Sequence, residues 1–99
     1  MREYELYVVL NAAAEEEAVS SIVERVTQLV TVGYENTRGE MTKVEARGKR
    51  RLAYVIGKAT EGHDIIFTFQ APPAVLPEIE RFLKLEEQAL RYMLVRVGD

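Results

Sequence analysis

The chain has 99 residues, 47% of them hydrophobic and 29% charged, with a formal net charge of −3 and no cysteine. That length supports one domain, residues 1–99, with a core of its own, and the missing cysteines exclude a disulfide framework or a thiolate metal site. No run reaches the ~18–20 apolar residues of a membrane span, and Glu3 and Glu5 stand where a secretory leader needs positive charge, so a cytoplasmic domain is expected.

Tyr4 to Leu10 alternates, with Tyr4, Leu6, Val8 and Leu10 on one face and Glu3, Glu5, Tyr7 and Val9 on the other, which predicts a strand. Glu15, Glu16 and Glu17 then suit the positive end of a helix. Val19, Ile22, Val23, Val26, Leu29 and Val30 recur at helical spacing, so an amphipathic helix lays its stripe on a sheet. Gly33, Asn36 and Gly39 punctuate a loop. Met41 to Ile56 reads as one long strand or a bent pair, with Gly48 marking a bulge or sharp twist. Glu61-Gly62 is expected to turn the chain, so that Ile65, Phe67 and Phe69 return in a hairpin against Arg50 to Ile56. Pro72 and Pro73 end that strand. Val75, Leu76, Ile79, Phe82 and Leu83 give a shorter helix, which tolerates Pro77 only in its first turn. Arg91 to Val97 is a closing strand whose buried face is open between Tyr92/Leu94 and Met93/Val95/Val97.

The order β-α-β-β-α-β predicts an α+β, ferredoxin-like fold: a four-stranded antiparallel sheet with two helices on one face. The first and third strands take the middle and the other two the edges.

Little in the chain points to catalysis. His63 is the single histidine, and as a sequence neighbour in a strand Asp64 points to the opposite face, which defeats a dyad. No set of His and Cys ligands exists for a common zinc site, and Glu15-Glu16-Glu17 reads as a solvated first turn. GKAT at 57–60 lacks both the leading glycine and the Ser or Thr of a phosphate loop. No catalytic residue, metal or cofactor is expected. A base-stacking sheet needs spaced aromatics on the third strand, where His63 and Ile65 stand instead, leaving Tyr7 as the one ring suited to that mode.

The positive charge is concentrated. Lys43 to Lys58 holds six basic residues and one acidic, a local net of +5, while the rest of the chain carries −8. Edge strands often carry Lys and Arg only to deter unwanted pairing. The functional reading of GKRRLAYVIGK is an edge that meets a partner, since Arg and aromatic side chains together are common interface anchors.

MREYEL at the start, the strand-ending Val9-Leu10-Asn11, and above all RRLAY at Arg50 to Tyr54 resemble the bacterial small-subunit ribosomal protein S-six family. The resemblance runs through the Gly62 position to the closing Arg91-x-Met93-x-Val95 strand. It implies a ribonucleoprotein role in translation: a structural protein of the small subunit that binds the central domain of 16S ribosomal RNA together with ribosomal protein S-eighteen. Carried over, Arg50, Arg51, Leu52 and Tyr54 become partner contacts, and Arg2, Arg91 and Arg96 contacts to RNA phosphates. The chain departs from the family pattern at Val55, where proline is usual, and at His63-Asp64, where an aromatic pair is usual. Its loop from Val32 to Glu40 is longer, and no acidic extension follows Asp99. The isolated chain is expected to be a monomer. The main rival is an ACT-like small-molecule regulatory module, which shares the element order but favours a glycine-containing loop where Asn11-Ala12-Ala13-Ala14 stands. A second is a small ferredoxin-like enzyme using its sheet face.

Overall fold

Alternation along the first strand decides which face of the sheet is covered. The computed structural model describes residues 2–32, 38–56 and 59–97, and the side chains of 48–61 lie outside that description. The first strand, β1 (Arg2–Asn11), buries Tyr4, Leu6, Val8 and Leu10 and leaves the intervening residues half-buried. Asn11 closes the strand in a turn of its own making. Its Oδ1 accepts the Ala13 N–H at 2.9 Å, and its backbone carbonyl accepts the Ala14 N–H at 2.9 Å, a local bonding habit that suits Asn to turns.

Helix α1 (Glu16–Thr31) begins without a side-chain cap, with Glu16 and Glu17 in its first turn to meet the dipole. Ile22, Val26 and Val30, four apart, form its buried stripe. After the loop, the Gly39 N–H donates to the Val30 carbonyl at 2.7 Å and ties the chain back to the helix end. A Cβ on Gly39 would collide with the Gln70 carbonyl oxygen and come within 2.8 Å of the Ala71 Cβ and 2.9 Å of the Val30 carbonyl oxygen. Only glycine lets the backbone pass this close.

Two long strands follow, β2 (Glu40–Ile56) and β3 (Ala59–Ala71), then a 3₁₀ turn (Pro73–Val75), helix α2 (Leu76–Leu85) and β4 (Ala89–Val97). Pro77 falls in the first turn of α2, where its missing N–H costs nothing. The sheet order is β2-β3-β1-β4 with antiparallel pairing throughout. Residues from β1, β3, α1 and α2 share one core, in which Phe67, Phe69, Ile79 and Leu83 are essentially inaccessible. Each such side chain contributes about 1.5–3 kcal/mol through burial. Tyr4 and Phe69 oppose each other across the ladder with ring centroids 5.7 Å apart. This is the predicted ferredoxin-like arrangement.

The structure corrects the hairpin. Glu61 and Gly62 are not a turn but part of β3, paired with Arg51 and Arg50, and the ladder continues to Ile56↔Ala59. The segment Ile65 to Phe69 therefore faces Met41 to Ala46, not Arg50 to Ile56. Carrying the ladder through Gly62 pairs Arg50 and Arg51 with β3, pairing that an early reversal would forgo. His63 accordingly lies inside β3 rather than at its start. The ladder is irregular between Ala46 and Gly48, the predicted bulge position, with further shifts between Met41 and Lys43 and between Arg51 and Ile56.

The open question of β4 is settled by its pairing. Leu94 opposes buried Leu6 and Tyr92 opposes buried Val8, so both pack toward the core. Met93 and Val95 oppose Tyr7 and Glu5 on the other face.

Candidate functional site

The site begins where the sheet narrows. β1 ends at Asn11, opposite Gly62, while β2 and β3 continue to the Ile56↔Ala59 pair. Beyond Gly62 the β2–β3 hairpin is thus an arm with no β1 strand beside it. The basic residues at 49–51 stand at the root of this arm, with Lys49 opposite His63, Arg50 opposite Gly62 and Arg51 opposite Glu61. Leu52 and Tyr54 lie further out along β2. The side chains of Arg50, Arg51, Leu52 and Tyr54 fall outside the described residues, so the structure places these four by backbone alone. It puts all of them on an edge strand, as the sequence predicts.

Among the described residues, β2 has a neighbour only on its β3 side. Its outer row of N–H and C=O groups can therefore accept another chain. The residues from Thr42 to Arg47 are all exposed. On the helix side of this edge, an open groove of about 870 Å³ runs between α1 and β2, lined by Val19, Val23, Thr27, Val44 and Ala46 among others. Sequence reasoning missed it. The signal was present in Val19 and Val23, which add a second apolar row beside the buried stripe of α1.

The three arginines assigned to RNA separate into two places. Tyr4 opposes Arg96 and Glu3 opposes Val97, so Arg2 and Arg96 are diagonal neighbours on the helix side at one end of the sheet, with Cα atoms roughly 7–8 Å apart. Arg91 opposes Val9 on the other face, about 17 Å of strand away from Arg96. Its row continues through Asp64 to Gly48, so Arg91 shares the end of the sheet from which the basic arm projects. All three are exposed. Among the described residues no group of His, Cys, Asp or Glu is arranged to hold a metal ion.

The fold and this edge define a small ferredoxin-like domain whose distinguishing feature is a basic hairpin arm on an exposed edge strand. Comparison with known proteins places it further. The sequence model of the family described as Ribosomal protein S6 matches residues 3–96, and the chain belongs to that family. It is 38% identical over 99 residues to the small ribosomal subunit protein bS6 of Moorella thermoacetica, covering 100% of this chain and 97% of that one. It is 41% identical over 96 residues to the bS6 protein of Streptomyces griseus, covering 97% of this chain and 96% of that one. Among solved structures, the 30S ribosomal protein S6 of Thermotoga maritima superposes with a TM-score of 0.84 at 30% identity, covering 96% of this chain and 86% of that one. The chain is thus a structural protein of the ribosome, in the cytoplasm, and not an enzyme. The ACT-like regulatory alternative and the sheet-face enzyme fall with that result.

Proposed function

We propose that this protein binds the central domain of 16S ribosomal RNA in the small subunit jointly with ribosomal protein S-eighteen, through the β2 edge. The observation that carries the reading is the union of an exposed edge strand with the segregated basic residues Lys43, Arg47, Lys49, Arg50 and Arg51 along that same strand. Backbone groups of β2 offer a partner chain main-chain bonds, and Arg50, Arg51, Leu52 and Tyr54 supply the anchors. Arg2 and Arg96 at one end of the sheet, and Arg91 at the other, supply phosphate contacts. A chain of net charge −3 neutralises few phosphates, so its own RNA affinity is weak and its salt dependence shallow.

The test is retention of this chain on a central-domain 16S fragment, with and without the S-eighteen protein. Retention requires the partner, and Arg50→Ala with Arg51→Ala abolishes it while leaving the thermal melt unchanged. Tight binding of the lone chain, with a log–log salt slope steeper than about −6, would sink the cooperative reading.

A further inference from the structure

The second face of the sheet carries a pattern that the β2 edge does not use. Opposite the helices, no described element covers it. Its residues form four cross-strand rows in the order β2, β3, β1, β4: Glu40, Gln70, Glu3, Val97; Lys43, Thr68, Glu5, Val95; Glu45, Ile66, Tyr7, Met93; and Gly48, Asp64, Val9, Arg91.

Apolar and acidic positions are sorted within these rows. Val97, Val95 and Met93 run down β4, and Tyr7 and Ile66 extend the patch inward from Met93. Met93 is 50% exposed and Val95 37%, although each ends a row that is half-buried further in. Glu3 and Glu5 lie directly beside Val97 and Val95. Five carboxylates against two cations leave the face at −3, the opposite sign to the hairpin arm. Away from Arg91, the Met93–Val97 strip beside Glu3 and Glu5 disfavours RNA, and it disfavours a second copy of the chain, which would bring the same carboxylates into apposition. It favours an occupant that is basic and apolar together. From β4 across β1 to Ile66 on β3 the patch spans two strand spacings, about 10 Å, close to the diameter of an α-helix.

We propose that the outer face of β4 and β1, formed by Met93, Val95, Val97 and Tyr7 beside Glu3 and Glu5, docks a cationic amphipathic helix of a partner protein. Its apolar stripe lies on the β4 valines and Met93, and its Lys or Arg residues reach the Glu3 and Glu5 carboxylates. The inference stands independently of the β2 reading, because it uses the opposite edge and face.

The probe is a synthetic helical peptide of about 18 residues, ~27 Å long, with leucine on one face and lysine on the other. A scrambled peptide of the same composition is its control. NMR shift mapping on the full chain is expected to place the amphipathic peptide at Tyr7, Met93 and Val95, with the scrambled one at least tenfold weaker. Met93→Asp with Val95→Asp loses about tenfold in affinity with an unchanged far-UV spectrum, since both positions are surface sites. The isosteric pair Glu3→Gln and Glu5→Gln weakens binding and flattens its salt dependence. The proposal is overturned if the peptide maps to the α1–β2 groove or nowhere, or if the scrambled peptide binds equally well. It is also overturned if the free chain dimerises through these residues, or if a single-stranded RNA oligonucleotide shifts them instead.

Discussion

From Glu40 to Ala46, β2 runs beside a β3 segment that is backed by β1 and roofed by the helices. From Arg51 onward its only ladder partner is the part of β3 that β1 does not reach. One hairpin therefore does two jobs along its length. The first half is held by burial: its partners Ile65, Phe67 and Phe69 are core residues. The second half has only the β3 ladder beside it, and its sequence combines the Arg50-Arg51 pair with the apolar run Leu52 to Ile56. Stability and recognition are distributed along a single strand, so substitutions in the two halves are expected to have separable consequences.

The strongest way to break this comparison is Phe67→Ala, which removes a ring with no accessible surface from the middle of the sheet. A loss of about 3–5 kcal/mol is expected, measured by denaturant unfolding. A smaller effect would mean that the core collapses around the gap. Next comes Gly39→Ala, where the added methyl meets backbone atoms on two sides. It should cost about 1–3 kcal/mol, read as a lower midpoint with an unchanged m-value. Arg2→Ala and Arg96→Ala sharpen the comparison from the binding side. Each leaves unfolding within about 0.5 kcal/mol of the parent and reduces the salt slope of RNA binding, in the partner's presence, by about 1. The smallest effect belongs to Arg81→Ala. Its 3.9 Å pair with Glu78 is on an exposed helix face, and a thermal melt should detect less than about 0.5 kcal/mol.

Much of this was legible in the sequence because the patterns had one solution. The period-two alternation from Tyr4 to Leu10 admitted a single buried face, and the stripe of α1 admitted a single orientation. β4 resisted because both of its faces are apolar, and only the pairing of Leu6 with Leu94 distinguishes them. The hairpin reversal was misplaced at Glu61-Gly62 because glycine was read as punctuation, when here it sits in a ladder beside Arg50. For the site, the charge cluster marked the arm directly. The split between Arg2/Arg96 and Arg91 was not legible, since it depends on which face each strand position takes.

The place of β1 in the sheet also bears on how the protein comes into being. Of the four strands of this sheet, β1 is made before the others and lies in the middle, between Gly62–Ala71 on one side and Ala89–Val97 on the other. Neither neighbour exists until most of the chain has been made, and the second is complete only when Val97 has left the ribosome. Contacts this distant in sequence slow folding. The nascent chain must therefore keep β1, with its alternating apolar residues, from mispairing until the last strand arrives.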